Sequence, residues 1–192
     1  MEVIELIYSL VRSEERLIRS VEEMDKAIGH AVTLIQDSSC LYLNGSYSSS
    51  VFLSITVLEE VAKAHVGAFT GGNHPVKNRN VFKDHKTKHI LAAFPTVAMG
   101  KRLQDAIGEK EIDRLINMAK NSGLVQAREF SLYFQRENGK LKVPADKVNR
   151  KFARSILLFA IEVFDDALGG VTNYSNEAAE VTDELFEQVK NT

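Results

Sequence analysis

The sequence predicts an all-α protein, an antiparallel helical bundle with additional helices and a short extended or hairpin segment near residues 128–143. Three observations carry that expectation. Apolar residues recur at i, i+3, i+4 and i+7 through most of the 192 residues, the spacing that lines one face of a helix. The chain has three prolines and no tryptophan and is rich in Ala, Leu, Glu, Lys and Ile, which tilts it toward helix. Asn44-Gly45-Ser46, Thr70-Gly71-Gly72-Asn73, Ser122-Gly123 and Gly169-Gly170 cut it into helix-length pieces, because Gly closes a last helical turn without a steric penalty.

Residues 2–23 read as an N-terminal helix with Val3, Ile4, Ile7, Leu10, Val11, Ile18 and Val21 on one face. In residues 24–43, Ala27, Ala31, Leu34, Ile35, Ser38, Leu41 and Tyr42 form a face with small residues, which lets a neighbouring helix approach closely. The short Asn44-Gly45-Ser46 connection makes this helix and the next, residues 47–69, an antiparallel hairpin. A fourth helix is expected over 81–99, with Pro95 kinking or breaking it near Phe94. A fifth spans 101–121 and is weakened at Gly108. Phe130, Leu132 and Phe134 then alternate before Asn138-Gly139, a turn dipeptide, so an extended arm or hairpin follows. Pro144 opens a helix to 168 whose core face is Val148, Phe152, Ile156, Phe159, Ala160, Val163 and Phe164, and an acidic helix over 176–190 closes the chain. One domain over 1–192 is expected: an N-terminal helix (1–23), a bundle (24–168) and an acidic C-terminal helix (169–192).

Composition excludes several classes. With 44% hydrophobic and 26% charged residues, global disorder is excluded. Cys40 is the only cysteine, so there is no intrachain disulfide and no cysteine-built zinc site; on an apolar helix it reads as a small packing residue. No window approaches the roughly 18 apolar residues that span a bilayer. No signal-peptide pattern opens the chain, and a cytoplasmic location is the expectation. The net charge of −2 conceals an asymmetry: Lys77, Arg79, Lys83, Lys86, Lys88, Lys101 and Arg102 face one acid, Asp84, whereas from Glu162 to Glu187 acids stand without Lys or Arg. The basic block attracts phosphate, and the acidic tail can cover that block or bind a basic partner.

Two helices carry the candidate chemistry. Val51, Ile55, Leu58, Ala62, Val66 and Phe69 define a buried stripe on residues 47–69, and at about 100° per residue Glu59 lies roughly 40° from its centre, with Lys63 and Glu60 farther round. A carboxylate at that edge needs a partner, and Lys63 one turn on is the nearest in sequence. An ordinary interhelical pair satisfies the same pattern. Metal binding is not expected, because a lysine stands where a di-iron bundle needs a histidine. On the fourth helix His85, Lys88 and His89 share a face, placed outward if Ile90, Leu91, Phe94 and Val97 are the buried stripe. A histidine among cations suits RNA cleavage or binding, since imidazole moves protons near neutrality and cations stabilise phosphate charge; a solvated basic face is the plainer alternative. No P-loop, dinucleotide fingerprint or nucleophile elbow is present.

The stretch NGSYSSSVFLSITVLEEVAKA (residues 44–64), FKDHKTK (82–88) and the LYF, NGK and Pro elements of 132–144 together resemble the AbiV-type abortive-infection proteins, a branch of the all-helical HEPN superfamily. Its ribonucleases carry an R-x(4–6)-H motif with a polar residue after the arginine, and Arg79, Asn80 and His85 match it. The resemblance implies a dimeric, metal-independent endoribonuclease, with no cofactor, that halts translation. His85 would be the acid or base, Arg79 would stabilise the transition state and Asn80 would position it, with Lys88 beside them. Glu59, Lys63 and Glu60 would support these residues, Glu59 pairing with Arg79, His85 or Lys88. Lys77, Lys83, Lys86 and His89 would bind RNA. Here Arg79 falls in a Gly/Pro loop rather than inside a helix, and other members act by binding alone, so a non-catalytic protein engaging a phage protein or the translation machinery is the alternative.

Overall fold

The computed structural model describes residues 17–68, 84–96 (backbone only for 94–96) and 101–192. Helices dominate: α1 (Val21–Leu43), α2 (Tyr47–Gly67), α3 (His85–Thr96), α4 (Lys101–Ile107), α5 (Glu109–Lys120), α6 (Gly123–Leu132), α7 (Arg150–Leu168) and α8 (Asn173–Lys190). Between α6 and α7 lie β1 (Gln135–Glu137), β2 (Lys140–Lys142) and a 3-10 turn, Pro144–Asp146. The all-α bundle expected from the sequence is therefore the observed architecture, with a hairpin as its one sheet among the described residues.

Most of the helix expected over 2–23 lies outside the described residues, and residues 17–20 of it are not helical. Ser20 has extended backbone and its hydroxyl accepts the Glu23 N–H at 3.2 Å, so a new helix starts at Val21 instead of continuing through it. Glu23 reaches back to the Arg19 N–H at 2.6 Å, which fixes the entry of the chain. Val21, assigned to an apolar face, is 65% exposed for the same reason.

α1 and α2 form the expected hairpin across Gly45, whose φ of +79° favours glycine. Their close approach rests on serines: Ser38 Oγ donates to the Ser50 carbonyl at 2.9 Å and lies 2.8 Å from Ser54 Oγ. All three are buried, and each hydroxyl has a partner, so small polar groups replace bulk without leaving a buried donor unmet. Cys40, by contrast, is exposed rather than packed.

α7 is the central helix. Residues Ser155 to Phe164 are buried on every side, because α1, α2, α3 and α8 all pack against it. Phe152 of the expected core face is only partly buried and carries Arg114 over its ring at 5.1 Å.

Several boundaries differ from expectation. The helix expected over 101–121 is two helices, divided at Gly108 with φ of +82°. Residues 128–132, read as extended, complete α6; alternation over so few residues does not distinguish a strand from a helix end. The hairpin begins only at Gln135, pairs Gln135 with Lys142 and Glu137 with Lys140, and turns at Asn138 and Gly139, both with positive φ. Pro144 starts a 3-10 turn, and Asn149 caps α7 by accepting the Phe152 N–H at 2.8 Å. α3 runs through Pro95 to Thr96, so no break falls at Phe94, and the residues that follow, 97–100, lie outside the described ones.

Arg102, at the end of the basic block, meets the acidic segment. Its guanidinium donates to Glu162 and Asp165 of α7 and Asp183 of α8 and lies 4.5 Å over the Phe186 ring. Burial pushes the Asp165 carboxyl up to about 6, against the opposing pull of the Thr182 hydroxyl and Arg102. A folded-state value above the unfolded one gives stability that is complete below the unfolded value of 3.8 and is lost as pH rises through about 6. Urea unfolding should therefore show a falling contribution over that range, on the order of 3 kcal/mol at most. Asp165→Asn is expected to flatten it, and an unchanged pH profile in the variant would contradict the assignment.

Candidate functional site: one buried carboxylate among four bases

α2 is buried nearly all round, from Val51 to Ala64, and Glu59 shares that burial at 3% exposure. α3 packs against it. The Asp84 carbonyl accepts the Lys88 N–H at 3.1 Å and its carboxylate accepts the Thr87 hydroxyl at 2.5 Å, which anchors the first turn. His85, Lys88 and His89 then project from one face, at i, i+3 and i+4, onto the same carboxylate. His85 Nδ1 lies 2.8 Å and His89 Nε2 3.1 Å from Glu59 Oε1, while Lys88 Nζ donates to Oε2 at 2.6 Å. A fourth base arrives from α6: Arg128 Nε stands 3.6 Å from Oε1.

Burial raises the Glu59 carboxyl, but the hydrogen bonds and charges of His89 and Lys88 outweigh it and hold the group down at about 2. Glu59 is thus an anion at any physiological pH. Lys88 and Arg128 share that one charge, and among the described residues the ion pair of each is with Glu59. His89 Nδ1 and Arg128 Nε are buried without a hydrogen-bond partner. Among the described residues the site therefore carries an excess of positive charge and, in Arg128 Nε, an unused donor, the reverse of a metal site.

The predicted residues separate clearly. Glu59 meets His85 and Lys88, two of the partners expected for it. Lys63 does not join them: it pairs with Glu60 at 2.5 Å, both partly exposed, and neither helps hold α3. The nearest cation in sequence is not the partner, although i, i+4 spacing puts it within reach: Glu59 is buried and taken by bases from α3 and α6, while Lys63 stays partly exposed on Glu60. His89 and Lys88, expected on an outward face, are 0% and 6% exposed; His89 is therefore not on an RNA-binding surface. Glu59 makes their burial tolerable, and helical periodicity, which counts only apolar residues, cannot register a charge compensated from another helix. His85 stays open, with its side chain 42% exposed, and Lys86 is exposed. Lys77, Arg79, Asn80 and Lys83 lie outside the described residues. In sequence, residues 69–83 between α2 and α3 hold these cations and no acid.

Arg128 was missed. It sat in a stretch read as extended, and its pairing spans about seventy residues, so no local spacing marks it. Its guanidinium lies 4.9 Å over Phe52, which stands two helical turns before Glu59 on the same side of α2. No group of His, Cys, Asp or Glu among the described residues has an arrangement able to hold a metal, and no described helix is long and apolar enough to cross a membrane.

A family model described as AbiV, of the HEPN type, matches residues 19–165, which include Glu59, His85, Lys88 and Arg128. No curated protein and no solved structure matches the chain.

Proposed function

Because the chain belongs to the AbiV family of HEPN-type abortive-infection proteins, we propose that it is an antiphage effector that cleaves RNA without a metal, in the cytoplasm and as a homodimer, and so stops translation. The observation that carries this reading is the half-open His85 held by its Nδ1 on an ionised Glu59. An ionised carboxylate accepts, so Nδ1 keeps its hydrogen and Nε2 carries the lone pair toward solvent. Nε2 takes the proton of a ribose 2′-hydroxyl; the 2′-oxygen bonds to the adjacent phosphorus, and the bond to the 5′-oxygen breaks. The departing oxygen takes a proton from the imidazolium of the second protomer. Arg79 and Asn80 retain the roles implied by the family motif, to stabilise and position the phosphate. Lys88, being buried on Glu59, acts as a positioning residue, and Lys86 contacts the RNA backbone.

The test is incubation of the purified protein with total cellular RNA in EDTA. Cleavage that persists under chelation is the expected result. Intact RNA at high protein concentration would overturn cleavage and leave a binding protein directed at the translation machinery or a phage-encoded partner.

A further inference from the structure

The side chain that stands out beside the proposed general base is Arg128. Its Nε is buried without a hydrogen-bond acceptor, and its only ion pair among the described residues is the 3.6 Å approach to Glu59, a carboxylate already engaged by Lys88, His85 and His89. The guanidinium is nevertheless reachable, with the side chain 29% exposed. Its guanidinium carbon lies over the Phe52 ring, 4.9 Å from the centroid, which supports the side chain beside the site. His85 Nδ1 and Arg128 Nε approach the same oxygen, Glu59 Oε1, so the two half-open side chains are neighbours.

We infer that Arg128 is a phosphate-binding side chain of this site, its guanidinium holding a phosphodiester of single-stranded RNA next to His85. The inference rests on the RNA-directed reading of the same site. Three features join in it: a planar donor set suited to two phosphate oxygens, a local excess of positive charge that one carboxylate does not neutralise, and an aromatic support that spares the arginine an ordering cost on binding. Arg114 is the contrast. It too lies over a phenylalanine, but Glu111 takes its guanidinium in two hydrogen bonds of 2.8 and 2.6 Å, which leaves that fork occupied.

The test uses a 2′-O-methyl oligoribonucleotide, which binds but cannot be cleaved, on the full chain. Arg128→Gln is expected to weaken its binding about tenfold and to reduce the salt dependence by roughly the share of one phosphate contact. Arg128→Lys, which keeps the charge but loses the fork, should fall between, and Arg114→Gln should bind as the unaltered protein does. Unfolding curves of each variant establish that the fold is kept, and if Arg128→Gln fails to fold the lysine variant carries the comparison. Equal binding by the folded Arg128 variants, or equal weakening in Arg114→Gln, overturns the inference. Binding that depends on Arg128 in a protein that leaves RNA intact would overturn cleavage but support the phosphate site. RNA cleavage with unchanged KM and kcat in Arg128→Gln would do the opposite.

Discussion

His85→Ala is expected to lower RNA cleavage by about 100- to 10,000-fold, the range that general acid–base groups supply. The physical reason is position: of the four bases on Glu59, His85 is the one whose ring is both anchored by a carboxylate and open to a substrate. Truncation removes the proton acceptor while leaving Lys88 and His89 on Glu59, so helix α3 stays docked. The unfolding free energy should change by no more than about 1 kcal/mol, as for a half-exposed pair. Cleavage at the unaltered rate in a folded His85→Ala protein would remove His85 from the chemistry. Loss of cleavage together with loss of the fold would instead mark it as structural.

Glu59→Gln is expected to cost about 3–5 kcal/mol of stability, measured by urea unfolding near neutral pH, because it strands a buried lysine without its counter-charge. The neighbouring Glu60→Gln should cost no more than about 1 kcal/mol, since its pair with Lys63 is partly exposed. The pH dependence supplies a second reading of the same group. Its folded-state value of about 2 lies below the unfolded 4.5, so the stabilisation is complete above 4.5 and is lost as pH falls through about 2. That shift corresponds to roughly 3 kcal/mol, consistent with the lower end expected for the substitution. Equal losses in the two variants would contradict the distinct roles assigned to these adjacent acids.

The helical architecture was readable because it is written locally. Gly45 and Gly169, the Asn138-Gly139 turn and the apolar face of α7 each act within a few residues, and the observed elements follow them. Where local signals compete the reading drifts, as at Ser20, whose capping of Glu23 overrides the continuous apolar pattern on either side. The site shows the same divide. Glu59 could be singled out as a carboxylate at the edge of a buried stripe, and His85 and Lys88 as partners in reach. The burial of His89 and the arrival of Arg128 could not, because both depend on charge compensation between helices distant in sequence.

Glu59 is the buried anion on which helix α3 and its histidine depend. A double-mutant cycle between Glu59→Gln and Lys88→Met, read as unfolding free energy, tests it most directly. Removing the lysine should relieve the very penalty that loss of the carboxylate creates, so the double variant is predicted to lose about 1–3 kcal/mol less than the two single losses combined. Losses that add within about 0.5 kcal/mol would contradict the account.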